Sequence, residues 1–491
     1  MIASANLMTS AEDTTLTDAV NSLLKGYGSS GGSGAGVNAG LKAYKVQDGA
    51  SVGVGDFVEL TTSWGEGTAV EEAVGTVTVV PLSSSKAVVV YDLAKTISVT
   101  NTKACAVLLS SDGGSVTVSE PIIFDGTKIE NGSMAAVALS DNKVLVVYQY
   151  FIKMLSSTPT SYGIARVLTV DGDTITAGGI NDYLNFYTKQ ANELSLVALT
   201  DSKALVALTD TNGYGYAMAL TVDGTTVTAG TALNFDTSVK NPKVVKMTDS
   251  KVLVAYETYD LTAGRAIVLS CPSTTVTKGS VYTFRSAATS DLALTALDQR
   301  RAVLVYRDAA TTGYLTATVL QVDNASVTTQ NSPSLTIASS GGLKPAVTRI
   351  GTDTVLVVAN CYISSGANVN AQVLTVGASN ITKAAELTLY TIATRDDVHA
   401  LATTGEGSAL LVSAREAVVE YRGLNVDGTT VTPQTKGGTY VTPITSENYP
   451  IGVARTAGEA GDSLYVYRSG LPGGNITDPS FTVYDGAVEI T

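Results

Sequence analysis

A ten-residue segment at 247–256, Met-Thr-Asp-Ser-Lys-Val-Leu-Val-Ala-Tyr, recurs along the chain and restricts its fold more than any other feature. Variants stand at 82–91, 139–148, 199–208 and 297–306, with weaker ones at 350–359 and 404–413. Each is a polar turn that opens into an apolar, β-branched run, the pattern of a turn entering a buried strand. A second landmark alternates with the first. Asp-Gly or Asp-Asn pairs stand between apolar runs at Asp112-Gly113, Asp171-Gly172, Asp223-Gly224, Asp323-Asn324 and Asp427-Gly428, with degenerate forms centred on Cys271 and Gly377. These pairs tolerate the positive φ that a tight hairpin needs.

The seven hairpins follow one another at intervals of about fifty residues, and each unit reads as four strands. In the third unit these are 194–199, 204–208, 216–222 and 226–233. Four antiparallel strands per repeat is the pattern of a β-propeller blade, and seven blades close a ring that leaves no long sheet edge exposed. The expected fold is therefore all-β, with a seven-bladed propeller at 71–440. A linear β-solenoid or a set of separate sandwiches is the alternative.

The flanks do not repeat. Residues 15–25 carry Leu16, Val20, Leu23 and Leu24 at helical spacing, and 26–40 are Gly/Ser-rich, so 1–40 reads as a short helix and a tether. Two strand-like stretches fill 41–60, and another pair follows Tyr449, with Trp64 expected to pack in the connection to the repeats. A ring brings its ends together, so 41–70 and 441–491 are expected to form one split β domain, a small barrel or sandwich, with the propeller inserted in it.

Val54-Gly-Asp-Phe-Val58, taken with the run Ile451-Gly-Val-Ala-Arg-Thr-Ala-Gly-Glu-Ala-Gly-Asp-Ser-Leu-Tyr-Val466, resembles small β-barrel virion proteins of tailed bacteriophages, especially capsid decoration proteins. The resemblance implies a non-enzymatic virion surface protein, on the head or the tail, made in the host cytoplasm. It would be anchored to other virion proteins through its termini, as a homo-oligomer in the particle. A purely structural cement is a further reading.

Composition removes several classes of partner. The formal charge of −13 and the lack of any Lys/Arg-rich run argue against nucleic acid. No long apolar run or basic leader opens the chain, so no membrane insertion is expected. Cys105, Cys271 and Cys361 are isolated and His399 is the only histidine, so no metal or other cofactor is expected and His-based triads are disfavoured. Asp171-Gly-Asp173 is too short for a calcium loop.

Within each unit the first-to-second and third-to-fourth turns are short and repetitive, whereas the second-to-third and fourth-to-first loops vary. Variation places the binding face at those loops. They offer Tyr150, Phe151 and Tyr162, then Tyr214, Tyr259, Arg307, Tyr314 and Tyr362, as candidate anchors for a host-surface glycan or protein. The competing reading is that tyrosines fill half-buried strand positions. The alternative function is a propeller-type polysaccharide hydrolase or lyase. Ser110-Ser-Asp-Gly-Gly114 resembles the Asp-box of sialidases, but it occurs once and Val116-Thr117 replaces its usual ending.

Overall fold

The computed structural model describes residues 44–46, 51–52, 57–70, 75–93, 103–112, 115–125, 129–152, 160–179, 182–311, 313–330, 334–338, 342–363, 366–392, 397–415, 418–435, 437–443, 452–454, 458–459, 463–464 and 466–468. The expected helix at 15–25 and its tether lie outside them. By its contacts the chain divides into two units, one of 64–110 with 117–435, the other of 1–63, 111–116 and 436–491.

The larger unit is a seven-bladed β-propeller. Seven antiparallel sheets occupy 77–125, 129–187, 192–236, 240–285, 289–338, 342–392 and 398–433, here called blades 1 to 7. The innermost strand of each blade packs against that of the next, and that of the seventh against the first, which closes the ring. The second strand of each blade lies between neighbouring sheets and is buried on both faces. That is why Lys203–Thr209 and Lys251–Glu257 read as continuous apolar runs, not alternating ones. The core is accordingly a series of seams. One cluster joins Val144, Val146 and Tyr148 to Val88, Val90 and Leu108 of the preceding blade, and another joins Val252, Val254 and Tyr256 to Leu205 and Ala207. Each such fully buried aliphatic side chain contributes about 1.5–3 kcal/mol.

The hairpins take the form their sequence requires: Gly172, Gly224 and Gly428 have φ of 55°, 61° and 56°, and Asn324 has 54°. The outer strand differs from expectation. The stretch 226–233 is not one strand but Thr226–Ala229, a break, and then Leu233–Asp236, both pairing with Gly215–Asp223. The break falls at Gly230, where a Cβ would overlap the Thr274 carbonyl oxygen of the next blade. Close approach of the neighbouring hairpin thus interrupts the strand, and the same occurs at Gly279 against Ala325.

Ring closure also differs. Glu66–Val70, expected in the flanking domain, is the last outer strand of blade 7, paired with Val418–Asp427. Trp64 beside it is fully buried, and its backbone N–H donates to Gln434 Oε1 at 2.6 Å. Closing the ring with a strand from before the first blade ties the two ends of the propeller by hydrogen bonds that neither end can form locally.

Among the described residues, the flanks form a six-stranded sheet in the order Ser463–Leu464, Tyr44–Val46, Gly437–Pro443, Phe57–Trp64, Gly452–Ala454, Val466–Arg468. Ser51–Val52 pairs separately with Gly458–Glu459. The strand at 437–443 belongs to this sheet, so the repeats end before Tyr440.

Candidate functional site

The repeated segment ends on tyrosine in four blades, at Tyr91, Tyr148, Tyr256 and Tyr306, each essentially inaccessible to solvent. In three of them the ring lies against a phenylalanine on the outer strand of the preceding blade, at centroid distances of 5.9 Å for Phe124–Tyr148, 5.7 Å for Phe235–Tyr256 and 5.4 Å for Phe284–Tyr306. Two phenols reach further. Tyr148 donates to Asp125 at 2.8 Å, and Tyr256 to Asp236 at 2.6 Å, which Arg265 also holds at 3.1 Å. These tyrosines seal the seams.

Blade 7 carries Ser413 at the same register, and its seam with blade 6 holds a cavity of about 330 Å³. Two cross-strand rows of blade 7 form one wall: Leu411, Arg422 and Glu66, then Ser413, Glu420 and Thr68. Tyr390 of blade 6 forms the opposite wall and donates its phenol to Ser413 Oγ at 3.0 Å. Its ring lies 5.2 Å from the Arg422 guanidinium carbon. Arg422 pairs with Glu66 at 2.8 Å and donates to the Leu389 carbonyl at 3.4 Å. Arg166 occupies the same register in blade 2 and bonds the carbonyls of Phe124, Gly179 and Asp182, so one task of this arginine is to latch adjacent blades. In blade 7 it also faces a space.

Behind the cavity, Ser413 Oγ lies 2.9 Å from His399 Nδ1, and His399 Nε2 adjoins Asn360 Oδ1. Asn360 Nδ2 donates to the Asp397 carbonyl, so its Oδ1 is free to accept the Nε2 proton. His399 Nδ1 is then left to accept from Ser413. The lone histidine is thus held in a Ser-His-Asn hydrogen-bond chain. Burial, with Lys344 adding to it, lowers its pKa to about 3.

The position after the repeated tyrosine forms a second polar belt: Asp92, Gln149, Thr209, Glu257 and Asn360 are all buried. The innermost strands of blades 3 to 6 meet it with β-bulges, where Glu193, Asn241, Asp291 and Lys344 adopt left-handed φ of 48° to 52°. Asn241 Nδ2 donates to Glu257 Oε1 at 3.1 Å, and its N–H to Glu193 Oε2 at 2.6 Å. Burial raises Glu257 to about 7 and Asp92 to about 7. The half-buried Lys243 is lowered by desolvation, against the pull of Glu193, Glu257 and Asp291. Sequence reasoning passed over both the belt and the cavity.

The eight residues singled out from the sequence lie elsewhere. Tyr150 and Tyr162 face each other across the second and third strands of blade 2 and pack on the blade 1–2 seam, and Phe151 pairs with Ser161 beside them. Arg307 folds back on its own loop, with Nε 3.4 Å from the Gly313 carbonyl, and Tyr314 begins the next strand opposite Asp308. Tyr362 is half-buried against the blade 6–7 core. Among those whose side chains are described, Tyr214 and Tyr259 stand out as exposed: Tyr259, 53% exposed, lies over Gly213, and Tyr214 is 40% exposed. None of the eight lines the cavity.

No protein-family model and no curated protein matches the sequence. Among solved structures, the chain is similar to AofleA from Arthrobotrys oligospora (12% identity, TM-score 0.40, covering 72% of this chain and 98% of that one). It is similar to the six-bladed, fucose-recognising fungal lectin of Aleuria aurantia (13%, 0.39, 64% and 97%). The NanB sialidase of Streptococcus pneumoniae gives 12%, 0.40, 62% and 68%. At these scores the site stands on its own geometry.

Proposed function

We propose that the chain is a non-enzymatic binding protein whose propeller takes a saccharide unit in the cavity between blades 6 and 7. One observation carries the reading: Ser413 replaces the seam-sealing tyrosine, and polar groups line the space it leaves. Small-molecule sites start at about 300 Å³, so 330 Å³ suits a single sugar ring. The aromatic Tyr390 beside a carboxylate, a guanidinium and two hydroxyls matches the mixed apolar and polar surface of such a ring.

Glycosidic cleavage runs on paired carboxyl groups, and the cavity wall offers Glu66, already held by Arg422, and Glu420; the Ser413–His399 pair is an acyl-transfer arrangement instead. A general base works best with a pKa near the operating pH, and one of about 3 is a weak acceptor. The pair is better read as a satisfied buried network. Attachment to a tailed-phage virion, on head or tail, rests on the sequence resemblance, and the pairing of strands from both flanks is compatible with a single anchoring domain. The test is Ser413→Leu, which gives blade 7 the residue that blade 3 carries at Leu208. Saccharide binding by calorimetry is expected to fall at least tenfold with the fold retained, and unchanged binding would overturn the assignment. Steady release of sugar from a polysaccharide panel would replace it with the hydrolase.

A further inference from the structure

We infer that the sugar taken by this cavity is cationic, carrying a protonated primary amine, as a 2-amino-2-deoxyhexose does. The inference rests on the saccharide reading above and adds its charge. Of the three charged groups that the described residues bring to the cavity wall, two cancel each other: Arg422 is paired with Glu66 at 2.8 Å. A second guanidinium nitrogen is turned to the Leu389 carbonyl, so two of its three nitrogens already face acceptors. Glu420 remains. It sits at the centre of its cross-strand row, with Ser413 on one side and Thr68 on the other, and has no ion pair or hydrogen bond among the described residues. Its neighbours are a serine hydroxyl, a threonine hydroxyl and the Tyr390 phenol, all able to accept a hydrogen bond.

A ligand that supplies a cation can bond the unpaired Glu420 carboxylate without displacing a partner inside the protein. An ammonium group is the best complement, because it has three donors and no acceptor and makes charge-assisted bonds to carboxylate. Neutral hydroxyls can bond Glu420 but leave its charge uncompensated. Among the described lining residues an anionic sugar would face one net negative charge, on a chain of net charge −13. The same overall charge raises the local concentration of cations and speeds their arrival.

The experiment uses the full chain and four probes: glucosamine, glucose, N-acetylglucosamine and putrescine, titrated by calorimetry at a pH where the amine is protonated. Glucosamine is expected to bind at least tenfold tighter than glucose and N-acetylglucosamine, which share the ring but lack the charge. Glu420→Gln, which keeps the side-chain size, is expected to bring glucosamine down to the level of glucose. Equal binding of the three sugars, or a Glu420→Gln variant that keeps the preference, overturns the inference and leaves the saccharide reading standing. Putrescine bound through Glu420 with no sugar bound would overturn the saccharide reading instead. No binding of any probe overturns both.

Discussion

Tyr148→Ser transplants into blade 2 the change that stands naturally at Ser413, and its cost can be worked from contacts. Tyr148 is fully buried, packs edge-on against Phe124 at 5.9 Å and donates to Asp125 at 2.8 Å. Truncating a large buried aromatic costs about 3–5 kcal/mol in transfer and cavity terms. Losing a hydrogen bond to a charged group adds about 1.5–3 kcal/mol, though the two do not simply sum. Tyr148→Phe isolates the second part and is expected to cost about 1.5–3 kcal/mol. Tyr148→Ser is expected to cost about 4–6 kcal/mol. The assay is the urea midpoint with the slope checked for constancy. A loss below about 1 kcal/mol, the range of ordinary surface changes, would refute the view that these tyrosines seal the seams.

Arg166→Met removes donors to three carbonyls in the blade 1–2 seam and is expected to cost about 2–4 kcal/mol, read by the same midpoint. His399 is held neutral with a folded pKa of about 3 against 6.5, so the unfolded chain binds more protons between these values. Its contribution is therefore present above pH 6.5 and lost as pH falls towards 3, and stability-versus-pH curves for His399→Gln should lack that acid-side loss. Glu257 has the opposite sign: raised from 4.5 to about 7, it favours the fold at low pH and loses that contribution as pH rises through 7. Glu257→Gln, which can still accept from Asn241, should flatten the curve between those values. Replacing Glu66–Val70 with a Gly/Ser stretch opens the ring, and hydrogen exchange is expected to rise first in Val418–Asp427, its partner.

The ring was legible because its signals are local. An Asp-Ser-Lys turn before Val-Leu-Val-Ala-Tyr, and an Asp-Gly pair before the fourth strand in four of the seven blades, are each set by neighbours a few residues away, and both repeat. What escaped depends on neighbours far along the chain. Gly230 breaks the outer strand because of Thr274 in the next blade, and Glu66–Val70 closes blade 7 by pairing with a strand some 350 residues later. The bulges at Glu193 and Lys344 carry no turn residue as a mark, and those at Asn241 and Asp291 carry one that stands inside a strand continuing past it. Aromatic content in the variable loops drew attention to Tyr150, Tyr162 and Tyr362, which are half-buried strand residues. The cavity had a sequence signal of a different kind, a missing residue. The seventh repeat ends on Ser413 where four others end on tyrosine, and Tyr390 enters from the preceding blade. Leu208 and Ala359 also depart from the repeat, and among the described residues only at Ser413 does the departure coincide with a polar cavity.

A crystal structure of the full chain with glucosamine bound tests the central claim most directly. The expected density lies between Tyr390 and the row Ser413, Glu420 and Thr68, with the amine on Glu420. A sugar seated instead on Tyr214 and Tyr259, with the blade 6–7 cavity holding only water, would contradict it.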